Sequence, residues 1–220
     1  MSVVVDELWA SIQYEINNCP VCLAEKLFRP CNAPPSRPVS PMQTGRILFL
    51  SEAPPQTGGF WSDDHPDDLR RKLAELLGLQ QSENGKKVLT SFLAKGYFLL
   101  QSLKWPLKRT FNHFGPAQQR QLVEHSTSAH LRSEVQVLKP RAILAMGKAA
   151  WMSCLLMSGN TSNRRDRGFE DSLNEERTMT LDGHVIPLRS TYLPVDQNLR
   201  IPDRAAQISG HMQNFLVKHG

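Results

Sequence analysis

Apolar residues follow two rhythms along the 220-residue chain. Leu8, Trp9, Ile12 and Ile16 recur on one side of a helical period and predict a helix over residues 3–18. Leu69, Leu73, Leu76 and Leu77 predict an amphipathic helix from Asp67 to Leu79, with Gly78 as its stop. Leu122, Leu131, Val135 and Leu138 predict a long helix from Gln118 to Leu138, ended by Pro140. Two further helices are expected, at Lys148–Met157 and Asp203–Val217. The second rhythm is a short, nearly unbroken apolar run. Arg46–Leu50, Tyr97–Leu100 and Ala142–Met146 read as strands covered on both faces. Thr178–Leu181 and His184–Leu188 flank Asp182-Gly183, a strong hairpin signal. Residues 158–176 are polar without periodicity and predict a loop.

Strands alternating with helices imply an α/β protein: three layers, α/β/α, around a central, mostly parallel four-stranded sheet. In such folds ligands bind beyond the C-terminal strand ends. Here the ends after Leu50, Leu100 and Leu188 stand out. The chain reads as a single domain over 1–220. Residues 1–45 hold the first helix, a cysteine motif and a Pro-rich linker (Pro30, Pro34, Pro35, Pro38, Pro41), and 46–220 form the α/β core.

Composition narrows this picture only slightly. With 40% hydrophobic and 21% charged residues, the chain is neither disordered nor collagen-like. No apolar run approaches the roughly 20 residues of a membrane span. Asp6 and Glu7 stand where a signal peptide would be basic. A cytoplasmic monomer without a membrane partner is expected.

Charge is more informative once located. The net charge is +5, yet residues 84–123 carry seven basic side chains (Lys86, Lys87, Lys95, Lys104, Lys108, Arg109, Arg120) and no Asp or Glu. Tyr97, Trp105, Phe111, His113 and Phe114 are interleaved with them. Such a pattern suits a phosphate backbone with exposed bases. It also suits a solvated face whose acidic partners lie elsewhere in sequence.

The strand ends carry the candidate chemistry. Glu52 directly follows a buried strand, where a carboxylate is held rigidly and can orient or deprotonate a water. A loop-capping role is the alternative. Gln101 ends the second strand and could read the edge of a base or simply bond loop backbone. Met146-Gly147-Lys148-Ala149 lacks the upstream glycine and the Ser/Thr of a phosphate loop and reads as a turn into a helix. Arg164-Arg165-Asp166-Arg167 is balanced by Glu170, Asp171, Glu175 and Glu176 and reads as solvated loop.

Taken in order, these segments resemble the uracil-DNA glycosylase superfamily, most nearly its family 4. Ser51-Glu52-Ala53-Pro54-Pro55 is similar to the family's Gly-Glu-Ala-Pro-Gly, and Phe60 to the Phe that stacks on the flipped base. Gln101-Ser102-Leu103-Lys104 resembles Asn-x-x-Lys, whose Asn reads uracil. Leu138-Lys139-Pro140, Gly147 and Ala149-Ala150 match a further phrase, and Tyr192-Leu193-Pro194 then Leu199-Arg200 resembles Tyr-His-Pro then Leu-Arg. The resemblance implies a base-excising enzyme acting on DNA, single-stranded or damaged. Glu52 would be the catalytic carboxylate, with Ser51, Ala53, Phe60, Gln101 and Leu193 around the base. Lys104, Lys108, Arg109 and Arg200 would contact DNA, and Leu199 would wedge into the stack.

The departures alter the expected chemistry. The family's motif histidine hydrogen-bonds the uracil oxygen that gains charge as the glycosidic bond breaks, and Leu193 has no donor to offer. Losing such a donor typically costs about 2.7–4 kcal/mol, roughly 10²–10³ in rate. Gln101 is one methylene longer than Asn, and Ser51 and Pro55 replace both motif glycines. The resemblance therefore implies a glycosylase of weak or altered base specificity. A non-catalytic nucleic-acid-binding relative and a hydrolase of a small nucleoside-like molecule are the alternatives.

Cys19-Pro20-Val21-Cys22 closes the first helix, Cys31 follows, and Cys154 falls in an apolar helix as a core residue. The resemblance implies a four-cysteine iron–sulfur cluster beginning at Cys19 and Cys22. Its other two ligands would come near Trp105 and Thr127, which cannot ligate, so that cluster is not expected. Cys19, Cys22 and Cys31 could instead hold zinc with His125 as fourth ligand. Three free thiols are the alternative.

Overall fold

In the computed structural model, residues 3–29, 47–56, 58–62, 65–79, 86–159 and 168–220 are described. Cys31, most of the Pro-rich linker and the Arg164–Arg167 run lie outside them. The chain begins with α1 (Val3–Asn17) and the short α2 (Pro20–Ala24), then enters β1 (Ile47–Ser51). Next come α3 (Asp68–Leu76), α4 (Lys86–Ala94) and β2 (Tyr97–Gln101). A 3₁₀ turn (Phe111–His113) leads to α5 (Pro116–Ser126), which passes through a π-helical turn (Thr127–Leu131) into α6 (Arg132–Leu138). The remaining elements are β3 (Ala142–Met146), α7 (Lys148–Met157), α8 (Phe169–Ser172), β4 (Glu176–Leu181), β5 (His184–Thr191), α9 (Asp196–Leu199) and α10 (Pro202–His219). None of the described helices is long and apolar enough to cross a membrane.

The sheet has the order β2-β1-β3-β5-β4. The first four strands run parallel, with Leu50 opposite both Leu100 and Ala145, and Ala145 opposite Ser190. Every residue of β1 and β3 is buried, as expected where helices cover both faces. Helix α7 packs over β1, β3 and β4, α10 over β3 and β5, and α4 over β2. Among the described residues the sheet has five strands, not the four expected. Met179 and Leu181 of β4 turn inward while Thr178 and Thr180 stay exposed, so this half-buried arm adds an antiparallel edge to β5. Its hairpin turns on Asp182 (φ 50) and Gly183 (φ 81), the left-handed pair that such a turn needs.

Three further differences have local causes. Helix α4 was not expected, although Val88, Leu89, Phe92 and Leu93 follow a helical period and bury Phe92 against Phe49 and Phe60. Helix α8 interrupts the stretch expected as loop, with Ser172 Oγ donating to Phe169 O at 2.6 Å. The long helix begins at Pro116, where proline needs no amide donor, and is broken by the π turn.

β1 hydrogen-bonds β2 on one side and β3 on the other, so the chain reverses direction across the sheet at this pair. That is the switch point beside which parallel sheets open a crevice. The main core fills the sheet faces. A second, smaller core of Phe28, Leu103, Trp105, Phe111, Phe114, Leu122, Val123 and Ala149, with Cys19 and Cys22, lies under the loop that leaves β2. Arg29 N donates to Pro106 O at 2.8 Å and Lys108 N to Leu27 O at 3.0 Å, which fastens the N-terminal segment to that loop.

Candidate functional site

A cavity of about 880 Å³ opens at the C-terminal ends of β1 and β3. Glu52 lies in its wall directly after β1, held by its own backbone: Leu103 N donates to Glu52 O at 2.8 Å, and Ser102 N to Ser51 O at 2.9 Å. Burial pushes the Glu52 carboxyl up from 4.5 to about 7, and a hydrogen bond from the Phe111 backbone N–H only partly offsets this. Gly147, at φ 93, turns the chain out of β3, and its N–H donates to Thr191 O at 2.8 Å. A Cβ placed there would meet Glu52 Oε2 at 3.4 Å and Leu193 Cβ at 3.6 Å. Glycine is therefore required for its backbone conformation, while a Cβ there would make only ordinary van der Waals contact with these two side chains.

Leu193 and Glu52 thus both flank Gly147, and both line the cavity. Three aromatic side chains also line the cavity. Trp151 and Phe169 ring centroids lie 6.3 Å apart, and Phe169 and Tyr192 5.8 Å apart. Tyr192 OH donates to the Glu170 carboxylate, and the Arg204 guanidinium sits 4.7 Å over the Tyr192 ring. Arg204 also donates to Asn198 Oδ1 at 3.1 Å. Thr110, Asn112, Arg120 and Lys148 add polar and basic groups to the rim. The lining thus combines aromatic rings set edge to face, a carboxylate poised near neutrality and cations.

Several expected site residues lie elsewhere. Phe60 is 1% exposed, packed between Trp61 and Phe92 at centroid distances of 5.0 Å, and does not line the cavity. The aromatic core beside α4 claims its ring. Gln101 and Ser51 are buried and outside the cavity lining, with Ser51 Oγ donating to Leu100 O at 3.4 Å. Ala53 packs against the second core.

Lys104 was expected on DNA, but it is 1% exposed and ion-paired with Glu134, itself 0% exposed. Its Nζ also donates to Gln101 O, while Gln13 Nε2 donates to Glu134 Oε1 at 3.2 Å. The lysine ties the β2 end to α6 and α1. Lys104→Met is expected to destabilise the protein by about 3–5 kcal/mol in denaturant titrations, because an unpaired buried carboxylate remains. Pairing it with Glu134→Leu should recover most of that loss, whereas little loss in the single variant would show that the pair is not internal in solution.

The basic run is consequently not one face. Lys95 precedes Gly96, whose O accepts from Ile47 N at the opposite end of the sheet. Lys108 and Arg109 are exposed, with Arg109 4.6 Å over the Phe114 ring, and Arg120 reaches the cavity rim. Leu199 is half-buried against the main core, while the Arg200 side chain is 82% exposed beside Asp196.

A second cluster lies away from the cavity wall. Cys19, Cys22, His125 and His130 each offer a ligand atom, all within 4.8 Å of one another. His125 was expected there; His130 was not, since five residues separate it from His125 and no α-helical period aligns them. Trp151, Phe169, Tyr192 and Arg204 were also missed as site residues. Their signal is weak because α7, α8, the end of β5 and α10 contribute one side chain each. Cys154 is a core thiol, pushed by burial up to about 12.

The sequence profile of the uracil DNA glycosylase superfamily matches residues 38–195, a span that includes Glu52, Gly147 and Leu193. No curated protein matches the chain.

Proposed function

The chain belongs to the uracil-DNA glycosylase superfamily, and from that premise we propose that it binds DNA and excises a base from a flipped nucleotide, with weak or altered base specificity. The observation that carries this reading is Glu52, a carboxylate poised near pH 7 beside a cavity that can hold a base and its sugar. Ionised Glu52 accepts a proton from water as the water oxygen bonds to the sugar C1′. The C1′–N bond breaks with its electron pair leaving on the base, which then takes up a proton. General-base assistance of this kind supplies roughly 10²–10⁴ in rate.

The flipped base stacks on the Trp151–Phe169–Tyr192 wall, the role that buried Phe60 does not fill. Tyr192, Asn198 and Arg204 stand where a base edge or sugar can be hydrogen-bonded. Without a donor at Leu193, the departing base anion goes unstabilised on that side, so poor leaving groups are excised slowly. Excision from duplexes carrying uracil, hypoxanthine or xanthine tests the reading. Absence of cleavage of all three, with DNA binding retained, supports the second reading, which Leu193 favours: a relative that binds DNA without cutting it.

The DNA-facing groups are Lys108, Arg109 and Arg200, which are exposed, together with Arg120 at the cavity rim. Replacing Lys108 and Arg109 by alanine is expected to lower the slope of log K against log salt by about 1 for each phosphate that is no longer neutralised. Fluorescence anisotropy with labelled duplex at several salt concentrations reads this, and an unchanged slope would remove both residues from the docking face.

A further inference from the structure

We propose that Cys19, Cys22, His125 and His130 form a closed tetrahedral zinc site that fastens α1 and α2 to the α5–α6 helix. The ligand-atom geometry is that of a single ion. Cys19 Sγ lies 3.4 Å from His125 Nε2, and Cys22 Sγ lies 3.6 Å from His130 Nε2. Zinc bonds of about 2.3 Å to sulfur and about 2.0–2.1 Å to nitrogen, at tetrahedral angles, place sulfur and nitrogen about 3.6 Å apart. The two imidazole rings stand at 88° to each other with centroids 5.6 Å apart, so they approach a common point from different directions.

The backbone supplies an independent sign. In an α-helix, residues five apart point about 140° away from each other, so His125 and His130 would not share a face. The turn between them is π-helical, with Arg132 N–H donating to Thr127 O five residues back. A wider turn brings positions i and i+5 onto one side. Such turns are rare and gather at functional sites. Nothing in the cavity uses this one, whereas the thiols of Cys19 and Cys22 face it. The short Cys-x-x-Cys spacing is that of a structural zinc ligand pair.

The donor set also separates this site from iron–sulfur alternatives. A four-cysteine cluster lacks two ligands, since Trp105 is buried in the second core and Thr127 Oγ1 is engaged with Ser153 Oγ at 3.1 Å. A two-iron centre with two cysteines and two histidines puts the thiolates on one iron and the imidazoles on the other. Here each sulfur is instead within 3.6 Å of an imidazole nitrogen. Cys19, Cys22 and His130 are buried and His125 half-buried, so four protein ligands close the shell and leave no place for substrate. Cys19 and Cys22 belong to the small core that contains Phe111, whose N–H bonds Glu52, so the ion would brace the loop holding the carboxylate.

Elemental analysis of the full chain, purified without chelator, is expected to give about one zinc per chain and no acid-labile sulfide. Cobalt exchanged into the site should show the visible bands of four-coordinate cobalt together with thiolate charge transfer. His130→Ala should lower zinc affinity at least tenfold in a competition titration, and His130→Cys should restore it with a shifted cobalt spectrum. Iron with sulfide, or no stoichiometric metal, overturns the proposal. Undiminished zinc affinity in His130→Ala overturns it as well. Should His130→Ala fail to fold, the metal content and cobalt spectrum of the wild-type chain decide the matter alone.

Discussion

Glu52→Gln is expected to lower base excision by about 10²–10⁴-fold while leaving the fold intact, because the amide keeps the shape of the carboxyl but cannot accept a proton from water. Single-turnover cleavage of the best of the three damaged duplexes, at saturating protein, measures it. Equal rates in wild type and variant would remove Glu52 from the chemistry. The pH profile gives a second reading of the same residue. With its carboxyl pushed up to about 7, wild-type activity rises with pH through that value and then levels, as the ionised form becomes the majority.

Stability should move the other way. The unfolded chain releases the Glu52 proton near 4.5 and the folded chain only near 7. Between those values the folded state binds more protons, so stability falls as pH rises and levels off above about 7. The whole effect is about 1–3 kcal/mol, reduced from the full shift because water reaches the cavity. Glu52→Gln removes this slope, so the variant is expected to be the more stable protein at pH 8. Denaturant titrations at pH 5 and pH 8 would show it. A buried ionisable group that weakens its own fold is a common trade between stability and function.

Leu193→His is expected to raise uracil excision by about 10²–10³-fold. The position flanks Gly147 beside Glu52 in the cavity wall, so under the proposed function the new imidazole would enter the space of the departing base. A well-placed donor to a developing oxyanion contributes about 2.7–4 kcal/mol. The gain should be largest for uracil, the poorest leaving group of the three, and smaller for hypoxanthine and xanthine. Initial rates on the three duplexes, compared between wild type and variant, provide the check. If Leu193→His gains nothing while both proteins bind DNA, the cavity no longer admits a base in a reactive pose, and the DNA-binding reading without excision is supported.

The difference between expectation and structure is easiest to see in Lys104 and Glu134. In sequence they stand thirty residues apart, and the lysine sits in a run without acidic residues, which invites a surface reading. Folding sets the end of β2 against α6, and the two charges neutralise each other inside the protein. Phe60 teaches the same point for an apolar group. Its place after the Glu52 motif is legible in the chain, but the α4 helix that packs on it was not expected, and Phe92 and Trp61 enclose the ring.

Hydrophobic rhythm was enough to establish a mostly parallel α/β sheet and the position of Glu52 at a strand end, and the Asp182-Gly183 pair added the hairpin. These depend on neighbours in sequence: a run of apolar residues must be covered on both faces, and the residue after it must emerge at the sheet edge. The partners of each side chain across the fold could not be obtained this way. Tertiary packing sets Leu193 and Glu52 on either side of Gly147, gathers Trp151, Phe169 and Tyr192 into one wall, and divides the basic run between the site and the far end of the sheet. The same holds for His130, which joins Cys19, Cys22 and His125 only because a π turn rotates it onto their side. A departure from regular helix cannot be read from a periodicity that assumes one.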